Sequence, residues 1–354
     1  MSAVAAHRRV GLRPDRTLIW ADEFAGATYD TDKWVALNRS ISVARLSSRP
    51  ENVFTENSSL VIRAMRDDYM GKPWSSAWLR TDGKFHYRYG LLEARIKAPI
   101  GAGMWPAFWI HGDTWHIRYP EYISGEIDIW EHWDSDPTNL ITLYAAPVGA
   151  TAGVAVEGGS YPVDITQWHI YGMEWTPDTI TFFLDGEQVG NTVNVADYTN
   201  ANGWNPYRMP QTIQLDNMPG QAGWRPPINA ATPSPADMRV DWVRVYAPVG
   251  VDEYVNQTGL TLDQSTMTVA QGSWGYINAT ITPGDAADQT IKWSSSNPAI
   301  ATAAETHLAD TFGSEYVAMG GVRVYVDGIA PGTATITATT NEAFTASCVV
   351  TVTA

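Results

Sequence analysis

"TITFFLDGEQV", residues 179–189, decides the fold class. Thr179, Ile180, Thr181 and Phe182 alternate polar with apolar, the period of a strand with one buried face. Asp185 and Gly186 follow, a dipeptide that tolerates the positive φ angles of a tight hairpin. The run therefore predicts two antiparallel strands turning at 185–186. The same alternation recurs in "SLVIRAM" (59–65), "YGLLEARIKA" (89–98) and "MRVDWVRVYA" (238–247), each bounded by Gly, Pro, Asn or Asp. "RTDGKFHYRYG" (80–90) carries another Asp-Gly, at 82–83, and predicts a second turn. No long amphipathic helical pattern occurs, and "VNVADYTN" (193–200) supports a helical turn at most. Many short strands with regular turn signals predict an all-β chain built as sandwiches.

The 354 residues suffice for one large domain or two ordinary ones. Hydrophobic residues at 44% and charged residues at 17% fit a folded protein. A formal net charge of −15 repels nucleic acid and anionic lipid, which sets those partners aside. It also disfavours highly sulfated ligands unless a local basic pocket intervenes. The single cysteine, Cys348, lies in the alternating run "ASCVVTV" and reads as a buried small hydrophobe. No apolar run is long enough for a transmembrane helix. The opening "MSAVAAHRRVGLRPDR" lacks the basic-then-apolar order of a secretory signal. Fourteen of the 16 tryptophans precede residue 250, more than a core usually asks for. Indole faces that stack on sugar rings account for such an excess.

Composition changes near residue 248, after the polar, Gly- and Pro-bearing "APVGVDEYVNQTG" (247–259). The expected organisation is an N-terminal extension over 1–16, a large β domain over 17–247, a linker over 248–258 and a small domain over 259–354. The last segment is rich in Thr, Ala and Ser, in short alternating strands, and has the size of an immunoglobulin-like sandwich. "IKWSSSNPAIAT" and "VDGIAPGTATITATT" resemble the group 2 bacterial immunoglobulin-like domains. That resemblance implies a spacer or adhesive module. The stretch 303–321 is longer than the usual link of such domains.

"GEIDIWEHWD" (125–134) holds the chemistry. On a regular strand Glu126 and Asp128 share a face with Trp130, and Glu131 points the other way. One extra residue, a β-bulge at Ile129–Trp130, restores the phase and puts Glu126, Asp128 and Glu131 on one side. Cleaving a glycosidic bond with retention needs two carboxyl groups, one as nucleophile and one as acid/base. A carboxylate between them raises its neighbours' pKa by like-charge repulsion. A solvated acidic edge or a calcium site is the alternative, although calcium loops favour tight Gly- and Asn-bearing turns. The histidines 111, 116 and 132 lack zincin spacing, and no serine-hydrolase elbow, phosphate loop or dinucleotide fingerprint is present.

The acidic run resembles the E-x-D-x-x-E signature of glycoside hydrolase family 16, in its bulged laminarinase, agarase and carrageenase branch. "LIWADEF" (18–24), "DTDKW" (30–34), "YGLLEARIKAPIGAGMWPAFWI" (89–110), "WHIYGMEWTPDTITFFLDG" (168–186) and "MRVDWVRVYAP" (238–248) match in the family's order. The resemblance covers about 17–247 and implies a β-jelly roll whose concave face is the substrate cleft. It makes Glu126 the nucleophile, Asp128 the assisting acid and Glu131 the acid/base. It places Trp105 and Trp109 in the cleft, with Trp130. Trp175 and Glu174 match a strand lining the same face, Glu174 within reach of a catalytic acid. Asp241, with Glu23 beside it, matches a structural calcium position; catalysis itself needs no cofactor. The loops 111–124 and 215–227 depart from the glucanase pattern and offer Trp115, His116, Arg118, Tyr119, Trp224 and Arg225 as substrate contacts. Tyr144 stands where many laminarinase-like members carry a histidine.

The expected activity is endo-acting, retaining hydrolysis of a β-1,3- or mixed-linkage β-glucan, with a β-galactan of the agar or porphyran type as the alternative. The partner is a polysaccharide, with no nucleic acid and no membrane span. The expected setting is extracellular, cell-surface or virion-associated, attached through the C-terminal domain. A glycan-binding phage-tail or cell-surface component that has kept the sandwich is the reading from another class.

Overall fold

The computed structural model describes residues 12–354 apart from 42, 83, 113–125, 134–137, 146–153, 200–204, 206, 208–210, 221–226, 251–255, 284–285, 287–290, 305, 308–315, 318–322 and 341. Apart from 3-10 turns its elements are strands. The strands between Leu18 and Tyr246 build two antiparallel-dominated sheets packed face to face. The larger runs, in spatial order, through Glu187–Asn194, Thr179–Leu184, His169–Trp175, Gly90–Lys97, Ala236–Tyr246, Ser59–Arg66, Trp74–Ser76, Ala44–Leu46 and Arg39–Ser40. Leu18–Asp22 and Val53–Glu56 join it on the side. The smaller runs through Val154–Pro162, Thr138–Ala145, Glu126–Glu131, Met104–Gly112, Gln211–Pro219, Trp78–Arg80 and Val35–Ala36. Half of the neighbouring pairs join strands that are not consecutive in the chain, as in a jelly roll.

The core lies between these sheets. Leu92, Ala94 and Ile96 of one sheet meet Phe108, Ile110, Ile127, Ile213 and Leu215 of the other, all buried. Each set recurs at every second residue, so sheet alternation alone delivers the apolar side chains to one face. The hairpin expected at 185–186 is present. Leu184 pairs with Glu187, and Asp185 and Gly186 have φ angles of 53° and 87°. Two positive φ values identify the hairpin turn whose twist matches the flanking strands. Residues 195–198 form one 3-10 turn, capped by the Asn194 side chain. The turn expected near 82–83 is also present, with the Lys84 N–H donating to the Thr81 carbonyl at 2.9 Å, but it does not join a hairpin. Trp78–Arg80 pairs with Gln211–Pro219 and Val35–Ala36, and the chain after Asp82 leads to Gly90–Lys97 in the opposite sheet. An Asp-Gly pair supplies a turn; it does not decide that the next strand returns beside the last.

Residues 259–354 form a separate sandwich. Gly259–Leu262, Trp274–Thr282, Arg323–Gly328 and Ala301–Ala304 make one sheet. Thr266–Ala270, Thr345–Thr353, Gly332–Thr340 and Ile291–Ser295 make the other. Its core includes Val269, Ile277, Val324, Ile336, Val350 and Cys348, which is fully buried. Burial pushes the Cys348 thiol up, as an inert hydrophobe requires. Most of 303–321 lies outside the described residues, apart from the short pair Thr306–His307 and Tyr316–Val317.

Candidate active site

The strand Glu126–Glu131 carries the bulge. Against Met104–Gly112, Asp128 pairs with Trp109 while Trp130 pairs with Phe108, and Ile129 is extra. Against Thr138–Ala145, Asp128 pairs with Thr142 and Glu131 with Leu140, so both neighbours see the same shift. The consequence is geometric. Glu126 lies opposite His111, Asp128 opposite Trp109 and Glu131 opposite Ala107. These partners alternate along their strand, and cross-strand partners share a face. All three acids therefore stand on the face away from the core, where Phe108 and Ile110 point. Asp128 and Glu131 are each 3% exposed and Glu126 is half-buried.

The same bulge sends Trp130 into the core, where its ring stacks on Tyr171 of the opposite sheet at 4.9 Å. The sequence expectation of Trp130 in the cleft is thus corrected, because the phase shift that recovers Glu131 also turns Trp130 inward. Trp175 is likewise a core residue. It is fully buried, edge-on to Tyr89, and its Nε1–H donates to the Tyr207 carbonyl. Glu174, its strand neighbour, points to the outer surface of the larger sheet and pairs with Arg16 at 2.7 Å. It belongs to the other sheet from the acids and does not line their face.

Trp105 and Trp109 do stand with the acids. The Trp105 Nε1–H donates to Glu131 Oε1 at 2.8 Å. The Trp109 Nε1–H donates to Asp216 Oδ2 at 2.8 Å. Asp216 was not anticipated. It lies on Gln211–Pro219, opposite Ala107, so Glu131, Ala107 and Asp216 form one row across three strands. Asp216 is fully buried, and its Oδ1 has no hydrogen-bond partner. Burial pushes its carboxyl up to about 8, helped by the charges of Glu131 and Glu126 and opposed by the Trp109 hydrogen bond. Burial thus favours the protonated form of Asp216. Beside it Trp78 tilts against Trp109 at 5.4 Å and donates to Gln214 Oε1. A signal existed: Thr212, Gln214 and Asp216 alternate with Ile213 and Leu215, placing three polar side chains on one face of a buried strand.

Trp115, Trp224 and Arg225, with His116, Arg118 and Tyr119, lie outside the described residues. Tyr144 pairs through its backbone with Glu126. The calcium expectation does not fit. Asp241 accepts from Arg95 at 2.7 Å, and Glu23 takes two hydrogen bonds from Arg244 at 2.8 and 2.9 Å. A guanidinium occupies each carboxylate where a cation would need it. No cluster of three metal-ligating side chains occurs among the described residues.

A jelly roll with a bulged strand of carboxylates, backed by indole N–H donors, is the architecture of a glycosidase of the two-carboxylate kind. The chain belongs to the glycosyl hydrolases family 16, whose family model matches residues 42–244. Residues 257–350 match the bacterial Ig-like domain (group 2). A β-glucanase from Rhodothermus marinus is 32% identical over 254 residues, covering 66% of this chain and 86% of the relative. A keratan-sulfate endo-1,4-beta-galactosidase from Sphingobacterium multivorum is 31% identical, covering 66% of this chain. The match spans 55% of that protein's length, and 36% of another relative, the clotting factor G alpha subunit of Tachypleus tridentatus. The solved catalytic domain of an endo-1,3-beta-glucanase (laminarinase) from Thermotoga petrophila RKU-1 superposes with a TM-score of 0.58 at 27% identity. It covers 66% of this chain and 99% of that domain.

Proposed function

We propose that this chain is an endo-acting, retaining β-glycan hydrolase whose favoured substrate is a β-1,3- or mixed-linkage β-glucan. The observation that carries the reading is the common face of Glu126, Asp128 and Glu131, produced by the bulge at Ile129–Trp130. In the first step the Glu126 carboxylate attacks the anomeric carbon. The glycosidic C–O bond breaks as Glu131 delivers its proton to the leaving oxygen. In the second step water attacks the same carbon, Glu131 takes the water's proton, and the bond to Glu126 breaks. Two inversions give net retention. Trp105 holds Glu131 through Oε1, which assigns the transferred proton to Oε2. Asp128 stands between the two glutamates on the same face. Asp216, across Ala107 from Glu131 and pushed toward its protonated form by burial, offers a hydrogen-bond donor without adding charge.

The glucan assignment draws on the laminarinase and β-glucanase relatives. A second reading, a β-galactan substrate, is favoured by the galactosidase relative and by the sequence of segments 111–124 and 215–227, which departs from the glucanase pattern. Either polysaccharide places the work outside the cell, with the immunoglobulin-like domain as spacer or attachment module. Reducing ends released from laminarin, barley β-glucan, agarose, porphyran and keratan sulfate separate the readings. Laminarin or barley β-glucan is expected to be cleaved, and Glu126→Gln to abolish it. No product from any of the five would overturn the hydrolase reading, and binding without cleavage would favour a glycan-binding component.

A further inference from the structure

Among the described residues the exposed aromatic side chains are Trp274 and Tyr276, each 43% exposed. They stand two apart on the strand Trp274–Thr282 of the immunoglobulin-like domain, with Ile277 pointing into that domain's core. Alternation puts both rings on the outer face of the sheet, roughly 7 Å apart along the strand. The neighbouring strand supplies the support. Trp274 lies opposite Asp327, Tyr276 opposite Tyr325, and Asn278 opposite Arg323. Tyr325 meets the Trp274 ring edge-on at 5.5 Å, and the Arg323 guanidinium sits over one face of Tyr276 at 4.3 Å from the ring centre.

The polar rim is equally fixed. Arg323 Nε donates to Asn278 Oδ1 at 2.7 Å, and Asn278 Nδ2 donates to Asp263 Oδ2 at 2.6 Å. Across the sheet, Thr302 lies opposite Asp327 and Ala304 opposite Tyr325. Folding does not ask for this. The domain's core closes on Val, Ile and Ala side chains, and two exposed rings leave apolar area in water that burial would stabilise. The rings are braced rather than loose, so little rotamer freedom is left to lose on binding.

We propose that Trp274 and Tyr276 form a glycan-binding platform on the immunoglobulin-like domain, which takes the flat faces of sugar rings in a polysaccharide. Two features favour sugar over a protein partner. The rings are bordered by Asn278, Asp327, Arg323 and Thr302 rather than by an aliphatic patch, which suits a ligand whose ring faces are apolar and whose edges are hydroxyls. The other half of the chain belongs to a family of glycan hydrolases, so one long polymer can engage both halves and raise the effective concentration of the second contact. The choice of polymer rests on the function proposed above; the platform itself does not.

The test uses the full chain carrying Glu126→Gln, so that the polymer survives. Depletion from solution is measured on curdlan particles and on agarose beads, with the Trp274→Ala/Tyr276→Ala double variant alongside. The parent is expected to be retained on at least one matrix. The double variant should bind about tenfold more weakly, with unchanged thermal unfolding. Trp274→Phe, which keeps a flat face, should restore most of the loss. In the chain with Glu126 intact, the double variant should hydrolyse soluble laminarihexaose at the unaltered rate. Equal retention of parent and double variant would overturn the platform, as would retention of neither. A parent that dimerises while the double variant is monomeric would overturn it too, by making the face a contact between copies. A chain that binds curdlan through these rings yet cleaves nothing would sink the hydrolase reading and leave the platform standing.

Discussion

The two outward faces of the catalytic sandwich both carry buried or half-buried carboxylates, and they treat them differently. On the larger sheet and the segments laid over it, each is met by a guanidinium: Glu93 by Arg13, Glu174 by Arg16, Asp241 by Arg95, Asp237 by Arg63 and Glu23 by Arg244. On the smaller sheet Glu131 and Asp216 are met by indole N–H groups. An arginine brings a full positive charge and a fork of donors to its carboxylate. An indole N–H orients one carboxyl oxygen through a single hydrogen bond and brings no counter-charge. The first face pairs its acids with opposite charge; the second holds Glu131 and Asp216 without it.

That contrast can be broken in several places. Glu131→Gln removes the proposed acid/base and should lower kcat/KM on the preferred polysaccharide by about a thousandfold. Trp105→Phe keeps the ring and deletes one donor, and should cost about tenfold in kcat with a displaced pH profile, measured by reducing ends across pH 4–9.

Asp216→Asn tests burial through stability rather than rate. The wild-type carboxyl has a folded pKa of about 8, above its unfolded value, so the folded state holds a proton that the unfolded state releases. Stability from this group is complete below about pH 4 and falls as pH rises toward 8, with a limiting slope of about 1.4 kcal/mol per pH unit. The asparagine variant should lack that slope, so its advantage over wild type in urea unfolding should grow from pH 5 to pH 8. Parallel curves would mean that Asp216 is ionised in the folded protein. Glu174→Gln, on the arginine-paired face, should leave kcat/KM within about twofold. A large loss would restore it to the site.

The hairpin at 185–186 and the bulged acidic strand were legible because each rests on local physics: a dipeptide that accepts positive φ, and a two-residue period with one residue too many. What stayed illegible depended on partners far along the chain. Alternation says that Trp130 and Trp175 lie on one face or the other, but not which face is the core. Glu174 and Trp175 are adjacent on a strand, so they face opposite ways and could not both line a cleft. Asp241 and Glu23 suggested a cation until Arg95 and Arg244, 146 and 221 positions away, took the carboxylates. Asp216 was hidden differently, inside a stretch read as a loop, although its strand alternated as cleanly as the hairpin did.

Ala107 sits in the row between Glu131 and Asp216, a single methyl group flanked by Trp105 and Trp109 on its own strand. Two carboxyls and two indoles thus surround a floor made of the smallest chiral side chain. If the face takes a sugar as proposed, the space above Ala107 is set by that one residue. A change as slight as Ala107→Val would lift the floor by two methyl groups without touching any acid, separating how deeply the site receives its substrate from how strongly it reacts with it.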